Sequence, residues 1–192
     1  RPRRARGARG KSTQLREETH GDILVFLPGA GEIRRCANEL RAALDQHEER
    51  ISLHPLYGDL PFEEQERAIM PSQDRRKIVL ATNIAETSLT IEGIQVVIDS
   101  GLTRILRYDP ATGMNRLMTT AVSRASAEQR KGRAGRLGPG VCYRLYSEEA
   151  HRGLVPFSQP EILVSDLAPL VLELAAWGVK DPQQLSWLDA PS

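Results

Sequence analysis

Short apolar runs alternate with helical stretches along most of this chain, and this alternation restricts the fold more than any other feature. Residues 22–27 read DILVFL, residues 77–81 read KIVLA and residues 95–99 read QVVID. Each run is apolar at consecutive positions, as expected of a strand buried on both faces. Apolar side chains at helical spacing follow the first run, at Ile33, Ala37, Leu40 and Leu44. The pattern predicts an α/β core in which helices cover both faces of a parallel sheet.

Two further strands and a helix complete the predicted core. The strands are residues 51–56 and 141–146, and the helix is about residues 61–70, between two prolines. In a parallel sheet, ligands bind beyond the carboxyl ends of the strands. We therefore expect three loops to lie side by side at one edge of the sheet, those that follow Leu27, Leu56 and Ala81.

The alternation of strands and helices is interrupted between residues 103 and 119, where two strand-like segments flank the turn sequence DPATG. This arrangement predicts an inserted β-hairpin. Further along, apolar spacing predicts a helix that is capped by Ser165 and ends near Gly178. We divide the chain into a basic flexible arm, a main domain and the start of a following region, which are residues 1–20, 21–158 and 159–192.

The distribution of charge means that any anion site must be local. The chain carries 26 Lys and Arg residues against 25 Asp and Glu residues. Seven of the basic residues lie within residues 1–16, which hold no acid, so the remainder has a net charge of −6. An acidic body argues against a general basic surface for nucleic acid.

Several features predict a cytoplasmic protein without a membrane partner. No apolar run is long enough to span a bilayer, and no signal peptide pattern is found. Cys36 and Cys142 lie in apolar segments, as expected of buried free thiols in a reducing compartment.

The most unusual local sequence is QRKGRAGR at residues 129–136, with four cations and two glycines in eight residues. Four like charges this close repel one another unless an anion lies among them. Ser126 stands three residues before Gln129, which is the spacing of a capping box. We therefore predict that a helix begins near Ser126.

On such a helix, Gln129, Arg133 and Arg136 share one face, whereas Arg130 and Lys131 point elsewhere. An amide and two forked guanidinium groups in a row suit the oxygens of a triphosphate. A solvated basic helix without a ligand is the alternative. The common face and the glycines, which permit close backbone approach, favour a phosphate site.

Two loops after predicted strands carry residues suited to phosphate. Residues 81–92 read ATNIAETSLTIE, in which four small side chains can bond a phosphate: Thr82, Asn83, Thr87 and Ser88. Glu92 could accept a hydrogen bond from a ribose hydroxyl. Gly29 and Gly31 precede the first helix and could offer backbone amides to an anion. Taken alone, each segment is more typical of an ordinary loop than of a phosphate site.

Taken in order, five segments resemble the second RecA-like domain of DEAH-box helicases, with most similarity to the bacterial HrpB-type enzymes. They read FLPGAGEI, LYGDLPFEEQ, ATNIAETSLTIEG, SRASAEQRKGRAGR and GVCYRLYSEEA. The resemblance covers residues 21–192 and implies a RecA-like α/β fold whose last helix begins a winged-helix region. It also implies an ATP-driven motor that moves along nucleic acid, with the nucleotide held between two RecA-like domains.

The resemblance implies roles for residues near the nucleotide. Three residues match the last motif of the family, which faces the γ-phosphate: Gln129, Arg133 and Arg136. Ser88 matches the serine that senses the nucleotide state, and Glu92 stands near the ribose. Ile69 takes the place of an aromatic residue that stacks on the base in relatives, so we expect little discrimination among nucleoside triphosphates.

The resemblance also implies a nucleic-acid track. Four residues match positions that hold or line the path of the nucleic-acid backbone: Gly29, Gly58, Thr82 and Asn83. The hairpin at residues 103–119 matches the one that family members place where a duplex parts. We expect the partners to be single-stranded RNA, with DNA left open, and the first RecA-like domain of the same protein.

The sequence has no complete P-loop with a Walker A lysine, and it has no DEAH box. Residues 10–12 read GKS, but Ala5 stands where a P-loop needs its first glycine. We therefore expect ATP with Mg²⁺ to be held mainly by the first RecA-like domain, and this chain alone to hydrolyse no ATP. The alternative is a stand-alone module that binds single-stranded nucleic acid, or regulates, without ATPase function.

Overall fold

The computed structural model describes residues 21–44, 50–72, 74–87, 89–109, 111–136 and 138–191. Within these ranges, seven strands follow in chain order: β1 (Asp22–Phe26), β2 (Ile51–Leu56), β3 (Arg76–Ala81), β4 (Ile94–Asp99), β5 (Leu102–Asp109), β6 (Met114–Ala121) and β7 (Val141–Arg144). Five of them form one sheet in the order β2-β3-β1-β4-β7, and each neighbouring pair is parallel. The predicted parallel sheet is confirmed.

Helices and short 3₁₀ turns connect these strands. The α-helices are α1 (Ala30–Leu44), α2 (Phe62–Ile69), α3 (Arg124–Gly132), α4 (Glu148–Arg152) and α5 (Ala168–Ala176). The 3₁₀ turns are Asn83–Ala85, Glu161–Leu163 and Pro182–Gln184. Pro61 precedes α2, and the helix ends one residue before the predicted limit.

The core lies on both faces of the sheet, as the apolar runs predict. On one face, Val25, Ile78 and Leu80 pack with residues of α1. On the other, Leu24, Phe26, Val79 and Val97 pack with residues of the β3–β4 connection. Alternate residues of one strand therefore enter opposite clusters, which is why these strands are apolar at consecutive positions.

The carboxyl ends of β1, β2 and β3 form one continuous edge. The backbone amide of Leu27 donates to the carbonyl oxygen of Ala81 at 2.8 Å, and the amide of Thr82 donates to that of Leu56 at 3.2 Å. These bonds extend the sheet just past its strands. The three loops predicted to lie side by side do so.

The predicted hairpin is formed by β5 and β6, which pair antiparallel from Leu102↔Ala121 to Asp109↔Met114. Gly101 begins it with φ of 74°, a left-handed conformation that favours glycine. A β-carbon at Gly101 would also lie 2.4 Å from the ring of Tyr146. The hairpin thus leaves β4 through a turn that only glycine fits.

Two predicted helix starts are wrong. The cap of α3 is Ser123, whose hydroxyl accepts from the amide of Ser126 at 3.2 Å, so the helix begins at Arg124. At α5, Ser165 does not cap the helix. The N-cap residue is Leu167, which makes no side-chain cap bond, and Asp166 before it accepts from the amide of Ala168 at 3.0 Å. At α3, Ser123 and Ser126 could both cap the helix, and the path of the incoming chain selects Ser123.

Other predictions meet mixed outcomes. Strand β7 ends at Arg144, two residues before its predicted end. Cys36 and Cys142 are free cysteines, as predicted, but each is only half-buried where the sequence predicts a buried thiol. Within the described ranges, no helix is long and apolar enough to cross a membrane. The basic arm at residues 1–20 lies outside the described residues.

Candidate functional site

Gln129, Arg133 and Arg136 meet in one groove, where the end of α3 faces the loop that follows β3. The groove has a volume of about 360 Å³, and its remaining lining residues are Glu86, Thr87 and Gly132. The three side chains do not share a helix face as predicted, because α3 ends at Gly132. Glycines at 132 and 135 disfavour continuing the helix. A turn after α3 therefore brings the arginines to the groove.

Arg133 is docked on the loop after β3. Its Nε donates to the carbonyl oxygen of Glu86 at 2.8 Å, Nη2 donates to the same oxygen, and Nη1 donates to the carbonyl of Leu89 at 2.6 Å. Only 8% of the residue is exposed. Burial, followed by the nearby charge of Arg136, lowers the pKa of Arg133. The guanidinium therefore holds the loop against the end of α3.

Arg136 and Gln129 are the open donors of the groove. Nη1 of Arg136 donates to the Thr90 hydroxyl at 2.8 Å, and the rest of this exposed side chain faces solvent. Gln129 is also exposed. These two side chains can therefore bind an anion without first breaking a buried interaction.

Arg130, which the sequence reasoning set aside, is the most buried cation at the site, with no exposed area. Its Nε donates to Oε1 of Glu86 at 2.7 Å, and its Nη1 donates to Oδ1 of Asp99 at 2.8 Å. Nη1 also donates to the carbonyl of Leu102 at 3.1 Å. The guanidinium carbon lies 4.8 Å from the centre of the Phe26 ring. Arg130 thus connects α3, the loop after β3 and the start of the hairpin.

Glu86 is the second residue that sequence reasoning missed. Its Oε2 accepts from the Ser126 hydroxyl at 2.8 Å, in addition to the bond from Arg130. Its backbone carbonyl accepts from Arg133. One residue of the loop is therefore fixed by three residues of the α3 segment.

Asp99 completes this buried network. Its Oδ1 accepts from the amide of Gly101 at 2.9 Å, and its Oδ2 accepts from the Tyr146 hydroxyl at 3.3 Å. Burial, together with the negative charge of Asp99, raises the pKa of Tyr146 to about 12. The sequence did carry a signal, because an acid at the end of the apolar run QVVID must find a cation or donors if it is buried.

The four predicted track residues lie along the carboxyl edge of the sheet. Gly58 and Asn83 are exposed, and Thr82 is half-buried. Gly29 is buried, because the Arg104 guanidinium of the hairpin occupies the space of its missing side chain, 2.6 Å from a β-carbon there. Arg104 in turn donates to Glu32 at 3.1 Å. A phosphate near Gly29 would therefore meet Arg104, which the sequence reasoning did not select.

The remaining predicted residues lie away from the arginine groove. Glu92 is exposed in the loop before β4, and neither it nor Ile69 is among the described residues that line the groove. Ile69 is half-buried at the end of α2, and its carbonyl lies 3.4 Å from the Lys77 ammonium. Ser88 lies outside the described residues. In the described part of the chain, no three acidic, histidine or cysteine side chains are placed to hold a metal ion.

Comparison with known proteins shows the family of this chain. Residues 10–138 match the family described as "Helicase conserved C-terminal domain". The chain is 51% identical over 178 residues to ATP-dependent RNA helicase HrpB of Escherichia coli (strain K12). The matched region covers 92% of this chain and 22% of that protein. ATP-dependent RNA helicase HrpA of the same organism is 46% identical over 178 residues, or 93% of this chain and 13% of that protein.

Solved structures give the same result. The crystal structure of Escherichia coli DEAH/RHA helicase HrpB matches with a TM-score of 0.85 and 49% identity, over 96% of this chain and 23% of that one. The chain thus spans about a quarter or less of the relatives it matches. It belongs to the helicase conserved C-terminal domain family, as the second RecA-like domain of a DEAH-box helicase.

Proposed function

We propose that this chain is the C-terminal motor domain of an ATP-dependent RNA helicase and supplies the cationic half of an ATP site. The observation that carries the proposal is the groove in which Gln129, Arg133 and Arg136 face the loop after β3. The relatives support the class of activity, since HrpB and HrpA are both ATP-dependent RNA helicases.

The donors at the groove fit a triphosphate. Arg136 donates one hydrogen bond, to the Thr90 hydroxyl, and its remaining N–H groups are available to a ligand. Gln129 has an exposed side-chain amide. Bound ATP would supply the phosphoanhydride bond that is broken. Guanidinium groups at this position would stabilise the negative charge that develops during phosphoryl transfer. Most contacts to ATP and Mg²⁺ would come from the first RecA-like domain of the same protein.

Arg133 has a different part in the proposal. Its donors already bind the carbonyl oxygens of Glu86 and Leu89. Turning toward a phosphate would release this loop, whose other end carries Thr82 and Asn83. Arg133 would therefore couple the occupancy of the nucleotide groove to the position of the nucleic-acid track.

The other predicted contacts complete the proposal. Single-stranded RNA, or DNA in its place, would run along four residues at the carboxyl edge: Gly29, Gly58, Thr82 and Asn83. Glu92 would accept from the ribose, Ser88 would sense the nucleotide state, and Ile69 would pack against the base. The cytoplasmic location remains a prediction.

The test is complementation with the missing half of the site. The chain alone should hydrolyse almost no ATP, and joining it to the first RecA-like domain of Escherichia coli HrpB should restore RNA-stimulated turnover. Arg136→Ala in the joined protein should lower kcat by about 10²–10³-fold, as loss of one preorganised charge donor does. Arg41→Ala, an exposed arginine on α1, is the matched control and should leave kcat unchanged.

Two results would contradict the proposal. One is appreciable ATP turnover by the chain alone that Arg133→Ala abolishes, because the site would then not be a half-site. The other is equal activity of the Arg136→Ala and Arg41→Ala proteins.

A stand-alone binding or regulatory module is the second candidate. One observation favours it: Arg133 donates to the backbone carbonyl oxygens of Glu86 and Leu89, so its guanidinium has protein partners within the fold. A module of this kind would bind single-stranded RNA tightly whether or not ATP is present. Failure of the joined protein to hydrolyse ATP, together with such binding, would select it.

A further inference from the structure

A cavity of about 730 Å³ lies beside strand β7, away from the arginine groove. Its walls come from the end of α3, from alternate residues of β7 and from the start of α4. The cavity and the arginine groove share Gly132, but their polar side chains are different. The volume lies in the range of small-molecule sites and is larger than a single ion fills.

Two buried hydrogen-bond donors belong to residues that line this cavity. Nη1 of Arg144 lies 3.4 Å from Nε2 of His151. Because a guanidinium can only donate, Nε2 accepts and the proton of the neutral ring is on Nδ1. In the described part of the chain, neither Nδ1 of His151 nor Nε of Arg144 has a hydrogen-bond partner, and both atoms are buried. Buried donors without an acceptor are costly, so the two groups favour a ligand that brings acceptor oxygens.

The charge of the lining favours an anion as that ligand. Glu128 accepts from Nη2 of Arg144 at 2.6 Å, and its other oxygen lies 3.5 Å from the Lys131 ammonium, so one carboxylate serves two cations. The hydrogen bond from Arg144 lowers the pKa of Glu128, which is therefore ionised at neutral pH. Glu148, the other acid of the lining, pairs at 3.3 Å with Arg152, which is not part of the lining. The cavity thus keeps an excess of one positive charge.

The rest of the lining suits the body of a small organic molecule. The Tyr146 ring and the Cys142 thiol lie in the same wall as Arg144. Burial raises the pKa of Cys142, so the thiol stays neutral. The space is open at Gly132 and Gly135, where an added β-carbon would meet no atom within 4 Å. The cavity therefore fits a charged head joined to a partly apolar body.

We propose that this cavity binds a small organic anion, whose carboxylate or phosphate head accepts hydrogen bonds from Nε of Arg144 and Nδ1 of His151. The body of the ligand lies against the Tyr146 ring. None of these residues takes part in the proposed ATP site or nucleic-acid track, so the inference stands independently of the helicase function.

NMR titration of the purified, isotope-labelled chain tests the site with benzoate, phenyl phosphate and benzamide. Benzoate and phenyl phosphate carry the two candidate heads, and benzamide is an uncharged molecule of the same shape as benzoate. At constant pH and ionic strength, benzoate or phenyl phosphate should shift the Nε–H signal of Arg144 and the Nδ1 signal of His151 to saturation, with a Kd of about 10 mM or tighter. The head with the lower Kd is the one that the site prefers. The imidazole of His54, on β2, is the internal control and should not shift.

Benzamide should bind at least about 10-fold more weakly than benzoate, because hydrogen bonds to an ionised acceptor are stronger. Arg144→Lys keeps the positive charge but removes the Nε donor. Read from the His151 signal, this variant should bind benzoate about 10-fold more weakly. Arg41→Lys makes the same change at an exposed arginine of α1 and should keep the wild-type Kd.

Three results would overturn the proposal: no saturable shift in the wild-type chain, equal Kd values for benzoate and benzamide, or equal Kd values in the two lysine variants. Thermal unfolding checks that the variants fold. If Arg144→Lys does not fold, the comparison of benzoate with benzamide on the wild-type chain decides alone. Loss of ATPase complementation would not change these results, because the isolated chain is titrated without nucleotide.

Discussion

At the scale of single residues, Arg130 neutralises two carboxylates that have almost no access to water. Side-chain exposure is 0% for Arg130 and Asp99 and 11% for Glu86. Arg130→Met would leave both acids without their cation, and breaking a buried ion pair in this way costs about 3–5 kcal/mol. We expect the free energy of unfolding, measured by urea denaturation, to fall by that amount.

The matched control for Arg130→Met is Glu128→Gln. Glu128 pairs with Arg144 at 2.6 Å, but half of its side chain is exposed, and exposed pairs contribute about 1 kcal/mol or less. Equal losses of unfolding free energy in the two variants would mean that the buried network stabilises the fold no more than a surface ion pair does.

The sequence identified the cationic motif but not the role of every member. Gln129, Arg133 and Arg136 were selected as a group, and the structure brings them to one groove. Helix phase describes the directions of side chains and not their partners, so it gives no role to Arg130. Its carboxylate partners lie 44 and 31 residues away in the chain, and only strand packing brings them together. Such a network is a tertiary property, invisible to local spacing.

At the scale of elements, the edge strand β2 should make stability depend on pH. Burial, together with the positive charges of Lys77 and Arg67, lowers the pKa of His54 on this strand below its ordinary 6.5. Between that value and the lower folded one, the unfolded chain binds a proton that the folded chain does not. The contribution of His54 to stability is therefore fully present above pH 6.5, and it is lost as the pH falls from there through the lower pKa of the folded state.

We expect His54→Gln to reduce this loss. The free energy of unfolding of the wild-type chain, measured by urea denaturation, should fall from about pH 7.5 to 5.5, and the fall should be smaller in the variant. Ser52→Ala, on the same strand and without a titrating group, should keep the wild-type dependence. An identical pH profile for wild type and His54→Gln would exclude His54 as the cause.

Strands were predicted more accurately than helix ends, for a physical reason. A fully buried strand must be apolar at nearly every position, so DILVFL and KIVLA leave few alternatives. A helix start depends on which of several polar side chains caps it. Ser123 and Ser126 both have a suitable sequence context, and the cap is decided by where β6 delivers the chain.

At the scale of the whole molecule, one loop connects the two halves of the candidate site. Thr82 and Asn83 begin it at the carboxyl edge, and Glu86 and Leu89 are bound by Arg133 at the groove. The parallel sheet, predicted from the sequence, fixes the first end. The position of the second end depends on the turn after α3, a segment that the sequence predicts to be helical. The proposed coupling between nucleotide and nucleic acid would therefore follow from the fold rather than from either motif alone.

The uneven charge of the chain leads to a final prediction. Deleting residues 1–16 removes seven cations and leaves a net charge of −6. For a motor domain with a local track, we expect wild-type RNA binding, followed by fluorescence anisotropy, to be weak and salt-sensitive. The deletion should reduce the salt slope by at most about 5, because each neutralised phosphate contributes about 0.7 for a single strand. Tight binding that survives high salt, ignores ATP and disappears with the deletion would instead identify residues 1–16 as the binding element, and the chain as a stand-alone module.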